Sequence, residues 1–169
     1  MPDEAPDTIR CPPSFGATGA AMSATVLLVE DDERLARCLS RLMKADGYEV
    51  VHAMTGEAAF ENVRTRSFDV VLSDLNLPDS CGVDVLRVAR AHDPDVPLLL
   101  MSGDPTVTTT IDALNLGVLE YLVKPLTSDQ LARVLRRAAG VRMGQPRQLL
   151  GEGAIVKLWP EFDEIDLED

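Results

Sequence analysis

The chain has 169 residues, about one domain's worth, and its 46% hydrophobic content is enough to bury a core, so it is neither wholly disordered nor fibrous. Acids outnumber bases 28 to 16, a formal net charge of -12 that disfavours direct binding to nucleic acid or anionic lipid. No apolar run approaches the roughly 20 residues that cross a bilayer, and the N-terminus is acidic and proline-rich where a secretory signal would be basic and then apolar, so a cytoplasmic chain without membrane insertion is expected.

Residues 1–23 place Pro2, Pro6, Pro12 and Pro13 among small residues without periodicity and read as a disordered leader, with Met22 an alternative start. From 24 to 140 short apolar runs alternate with amphipathic ones five times, the pattern of a doubly wound α/β domain. Val26 to Val29 is a continuous β-rich run ending in Glu30-Asp31-Asp32, as in a parallel strand buried on both faces. Asp32 suits a helix N-cap. Leu35, Cys38, Leu39, Leu42 and Met43 then fall at helical spacing, and Gly47 stands where a left-handed cap belongs. Tyr48 to Ala53 reads as the second strand, and Thr55 caps a helix over 56–66.

Phe68 to Ser73 forms the third strand, closed by Asp74, and a turn-rich loop leads to a helix over 82–91. Val96 to Met101 is the fourth strand, followed by Ser102-Gly103. Pro105 suits the first turn of a threonine-crowded fourth helix, which packing more than propensity has to hold. Leu119 to Val123 is the fifth strand, ahead of Lys124-Pro125, and Thr127 or Ser128 opens a last helix ending near Gly140.

Residues 141–169 read as a linker and an acidic tail carrying Trp159, Phe162, Ile165 and Leu167, suited to docking on a partner or on the domain itself; a solvated tail is the plain alternative. Cys11, Cys38 and Cys81 have no CxxC spacing and read as reduced thiols.

Open parallel sheets bind ligands at the carboxyl ends of their strands. Here that edge gathers Glu30, Asp31, Asp74, Ser102 and Lys124. Carboxylates this close repel one another unless a hard divalent cation neutralises them, and an ionised Asp74 beside such a cation is a nucleophile able to accept a phosphoryl group, with Lys124 and Ser102 in support. His52 and His92 stand apart from this pattern, and Cys81 reads as a loop thiol without a role.

These motifs resemble the CheY-like receiver domains of bacterial two-component response regulators: Val-Glu-Asp-Asp-Glu at strand one, Ser-Asp-Leu-Asn-Leu-Pro-Asp at strand three, Met-Ser-Gly-Asp at strand four, Tyr-Leu-Val-Lys-Pro at strand five, and Gly82 eight residues past Asp74. The resemblance covers residues 25 to about 140. It implies a flavodoxin-like five-stranded parallel sheet in the order 2-1-3-4-5, with Asp74 as phosphoacceptor. It also implies a Mg²⁺ (or Mn²⁺) site made by Asp31, Asp74 and the Asn76 backbone carbonyl, with Glu30 acting through water, and a cis Lys124-Pro125 peptide. Ser102 and Tyr121 would be the switch residues. Asn76 and Asp104 would flank the phosphoryl group, and as a polar pair they would orient a hydrolytic water and shorten its lifetime.

The function expected is that of a phosphoacceptor signalling module served by a histidine kinase or phosphotransfer protein. It would have no dedicated metabolite substrate, and its output would pass to an unidentified downstream protein through the face of helix four, strand five and helix five. No DNA-binding module fits within 141–169, and helix four lacks the basic residues that pair the transcription-factor receivers symmetrically. Two alternatives compete. A degenerate receiver acting as a scaffold would lack an acidic or lysine position, and none is missing. A phosphatase of the haloacid dehalogenase type would place a second aspartate where Asn76 stands.

Overall fold

The computed structural model of the chain describes residues 23–144. The expectations for the leader, Met22, Cys11 and the tail from 145 onward therefore lie outside the described residues. Five strands, β1 (Thr25–Val29), β2 (Glu49–Ala53), β3 (Val70–Asp74), β4 (Leu98–Ser102) and β5 (Glu120–Val123), alternate with α1 (Glu33–Ala45), α2 (Gly56–Thr65), α3 (Gly82–His92), α4 (Val107–Leu116) and α5 (Ser128–Arg142). All pairings are parallel and the order is β2-β1-β3-β4-β5, as the resemblance implied.

The continuous apolar strands are explained by helices on both faces. The period-two alternation of β1 sends Leu27 and Val29 into one core, shared with α2 and α3, and Val26 and Leu28 into the other, shared with α1 and α5. β3 and β4 are fully buried along their length. Chain direction across the sheet reverses at β1, which opens a crevice between the ends of β1 and β3.

Several local expectations hold in detail. Asp32 accepts the Arg34 and Leu35 amides, Thr55 accepts that of Ala58, Thr127 forms a capping box with Gln130, and Gly47 adopts φ +92°. Others shift. Pro105 stands one residue ahead of the cap of α4, and Thr106 takes the cap through a reciprocal box with Thr109, whose hydroxyl satisfies the Thr106 amide. β3 and β4 begin two residues later than the apolar runs, because the Phe68 and Val96 side chains enter the core from the preceding loops. α5 continues through Gly140 to Arg142, since Leu131, Val134, Leu135 and Ala138 keep the helix packed on the sheet and Arg142 is tied to Asp93 at 2.8 Å.

Candidate functional site

The crevice between β1 and β3 is where the chain concentrates charge. Glu30 follows β1 and is 1% exposed, Asp74 closes β3 at 5%, and Asp31 is exposed. One oxygen from each of Glu30, Asp31 and Asp74 lies within 4.8 Å of the others. Into this cluster Lys124, delivered by the end of β5, sends its ammonium, 2.8 Å from Glu30 Oε2 and 3.1 Å from Asp74 Oδ2. The other Glu30 oxygen, Oε1, accepts the Asp32 amide at 3.1 Å. The Lys124-Pro125 peptide is cis, and the Lys124 amide bonds the Ser102 carbonyl at 2.8 Å.

Burial decides the electrostatics of the pair. Desolvation pushes the Glu30 carboxyl above its ordinary range, with the nearby Asp74 charge adding to the rise, and the Lys124 hydrogen bond and Asp32 amide offset it only in part. Burial alone would lower the Lys124 ammonium, but its hydrogen bonds to Glu30 and Asp74 outweigh that, and it is held above its usual value. The lysine therefore stays charged at neutral pH. One ammonium faces three carboxylates, a negative surplus whose all-oxygen donor set fits a hard divalent cation.

The loop after β3 is built around contacts of its own. Gly82 opens α3 directly against the end of β3, and its amide donates to Leu75 O at 2.7 Å. A Cβ at that position would sit inside the Asp74 carbonyl group, which is why glycine is needed there. Asn76 pairs with Cys81 in an isolated bridge, and its amide lies 3.4 Å from Asp74 Oδ1. Asp79 anchors the loop to α2 by accepting the Gly56 and Glu57 amides at 2.7 and 2.9 Å, bonds that hold its carboxyl below the usual range. Thr55 and Asp79 thus share the orphan amides of α2.

On the β4 side Ser102 is fully buried, and its Oγ accepts the Asp104 amide at 3.0 Å, so the hydroxyl proton remains a donor. Asp104 itself is exposed. The Tyr121 ring is 5% exposed and already lies inside, with its hydroxyl 3.2 Å from Thr109 Oγ1 instead of in water. Thr109 Oγ1 also accepts the Thr106 amide and meets Thr106 O, so the Tyr121 phenol is joined to the cap of α4.

The structure brings Glu30, Asp31, Asp74 and Lys124 into one cluster and ties Ser102 to it through the Lys124 amide. Tyr121 sits apart from it, beside α4. Sequence reasoning missed Asp79, Thr109 and His52. His52 stands opposite Leu28 in the strand register, and its Nε2 lies 2.8 Å from the Glu30 backbone carbonyl, not its carboxylate. Only strand register could have suggested that contact, and the Asp79 and Thr109 contacts leave no local sequence signal.

Comparison with known proteins agrees with this geometry. The response regulator receiver domain family matches residues 26–136. The transcriptional regulatory protein ZraR of Escherichia coli O157:H7 is 38% identical over 113 residues, which are 67% of this chain and 26% of ZraR. The cell cycle transcriptional regulator CtrA of Caulobacter vibrioides is 30% identical over 131 residues, 78% of this chain and 57% of CtrA. The chain therefore spans about a quarter of ZraR and just over half of CtrA. Among solved structures, the chemotaxis response regulator CheY4 of Vibrio cholerae superposes with a TM-score of 0.64 at 27% identity, covering 69% of this chain and 99% of that one. A CheY-like receiver domain protein from Methanospirillum hungatei shares the fold with a TM-score of 0.71 at 22% identity, covering 74% of this chain and all of that one.

Proposed function

The chain belongs to the response regulator receiver domain family, and from that premise we propose that it accepts a phosphoryl group on Asp74 from a histidine kinase or phosphotransfer protein in the cytoplasm. The observation that carries this is the placement of Asp74, buried at the end of β3 with Lys124 at 3.1 Å and two further carboxylates within 4.8 Å. An Asp74 oxygen attacks phosphorus, the bond from phosphorus to the donor nitrogen or oxygen breaks, and the aspartate becomes an acyl phosphate. Lys124 takes up the charge on the transferred oxygens.

Asp31, Asp74 and the Asn76 carbonyl are the residues that would hold Mg²⁺ or Mn²⁺. Glu30, whose oxygens meet Lys124 and the Asp32 amide, would join through water. The cation supplies neutralisation of the carboxylates and of the phosphoryl oxygens.

Ser102 donates its proton to the phosphoryl group while its Oγ draws the Asp104 amide along, which moves the loop that leads to the Thr106 cap of α4. Tyr121 follows through Thr109. The readout is the surface where Val107 and Ile111 of α4 and Val123 of β5 stay 40–49% exposed, an apolar patch suited to a downstream protein. Asn76 and Asp104 orient a hydrolytic water and keep the phosphoryl lifetime short.

Intact mass after incubation with a small acyl phosphate donor and Mg²⁺ tests this reading. A single phosphoryl adduct is expected on the wild type, absent from Asp74→Asn and from a chelator control. An unmodified wild type that still binds Mg²⁺ overturns it and leaves the scaffold reading.

A further inference from the structure

The cations of this acidic protein are not spread evenly over its surface. Of the thirteen lysines and arginines among the described residues, eight lie on two neighbouring helices: Arg34, Arg37, Arg41 and Lys44 on α1, and Arg133, Arg136, Arg137 and Arg142 on α5. Each helix contains one acid, Glu33 and Asp129, so the two together carry a net +6, which Glu120, Asp69 and Asp93 offset in part through Arg133, Arg137 and Arg142. The rest of the described chain holds sixteen acids against five bases.

The four α1 cations recur at spacings of three and four residues and form one stripe about 15 Å long, opposite the Ala36, Leu39 and Met43 stripe that faces the core. Arg34, Arg41, Lys44 and Arg136 are exposed, with no acidic partner among the described residues. α1 and α5 pack side by side on one core, through Leu39 and Met43 of α1 and Leu131 and Leu135 of α5, so their cations flank one surface. Half-buried Leu35, Leu42 and Val141 lie at its edge, packed on the core that α1 and α5 share.

We propose that residues 161–169 of this same chain, Glu-Phe-Asp-Glu-Ile-Asp-Leu-Glu-Asp, dock on the basic stripe of α1 and α5. The segment has six acids and no base, with Phe162, Ile165 and Leu167 interleaved. The strongly negative remainder of the domain repels it, and the stripe is the complementary surface within reach. Residues 145–160 bridge up to about 50 Å when stretched, more than the length of either helix. A single exposed ion pair contributes little. Several pairs together, with apolar contacts and a tether that keeps the segment at an effective concentration in the millimolar range, make docking favourable.

The chain has only three lysines, Lys44, Lys124 and Lys157, which makes a zero-length carbodiimide cross-link a clean readout. In the full chain at low salt, Lys44 is expected to form an amide with a carboxylate of 161–169, while Lys124, 2.8 Å from Glu30, serves as the internal control. The yield should fall at least about fivefold in about 1 M salt, where the Debye length is about 3 Å. It should fall at least about threefold in the triple variant Arg34→Gln, Arg41→Gln, Arg136→Gln, which keeps Lys44 and changes only exposed side chains. Links from Lys44 only to its own neighbours, an unchanged yield in that variant, or links joining ¹⁴N to ¹⁵N copies in a mixed sample, each overturn the proposal.

Discussion

Gly82→Ala puts one methyl group at the point where α3 meets the end of β3. The new Cβ would overlap the Asp74 carbonyl oxygen, with the carbonyl carbon at 2.8 Å and Leu75 Cα at 3.0 Å. All three obstacles are backbone, so no rotamer relieves the clash, and the first turn of α3 has to lift away from the strand. Overpacking of this kind costs about 1–3 kcal/mol. Lifting the turn also stretches the 2.7 Å bond from the Gly82 amide to Leu75 O, for about 1 kcal/mol more. The lower unfolded-state entropy of alanine returns at most about 1 kcal/mol. The net loss is about 1–4 kcal/mol, which for a domain of this size lowers the melting temperature by about 4–16 °C. Urea and thermal unfolding followed by far-ultraviolet circular dichroism read both quantities. Gly103→Ala is the control, since nothing lies within 4 Å of a Cβ there, and it should melt with the wild type. Because the same displacement moves Asp74 and Asn76, phosphoryl adduct formation should slow as well. A Gly82→Ala protein that melts within about 2 °C of wild type and forms adduct at the same rate would refute the claim that this close approach sets the site.

Two further predictions rest on the ion pairs. Burial alone would raise the Asp93 carboxyl, but Arg142 at 2.8 Å and the Asp95 amide outweigh it and hold it below its ordinary 3.8, so its stabilisation is present above that value and is lost as pH falls through the folded-state value. Arg142→Gln should cost about 1 kcal/mol at pH 7 and almost nothing in strong acid, as measured by urea unfolding at the two pH values. Lys124→Met leaves the buried Glu30 and Asp74 carboxylates without their cation and should cost about 2–4 kcal/mol at neutral pH. Glu30 is already raised by burial and rises further in that variant, so the loss should shrink toward acid pH and grow as pH climbs through the folded-state value, and Mg²⁺ should restore part of it. A loss independent of pH would argue for a packing role of the lysine stem instead.

The elements and the chemistry at their ends are legible in the order of residues alone. Val26 to Val29 could be read as a strand because burial on both faces leaves no polar position in it, and Asp32, Thr55, Thr127 and Gly47 could be read as caps because capping is satisfied within three or four residues of chain. The candidate site was legible for the same reason: parallel topology sends every strand's carboxyl end to one edge, so Glu30, Asp31, Asp74, Ser102 and Lys124 had to meet there. Contacts between residues far apart in the chain, or held by a neighbouring element, come from the fold. Asp79 capping α2 from 22 and 23 residues away, His52 meeting the Glu30 carbonyl, and Tyr121 reaching Thr109 all depend on loop paths and strand register, which leave no periodic trace. Gly140 read as a helix end because glycine is a poor helix former, yet α5 runs past it because the apolar face ahead of it is already seated on the sheet and Arg142 beyond it is held by Asp93. Local free energies of about 1 kcal/mol set the caps and turns, whereas packing worth about 2–5 kcal/mol per large buried side chain overrode them wherever the two disagreed.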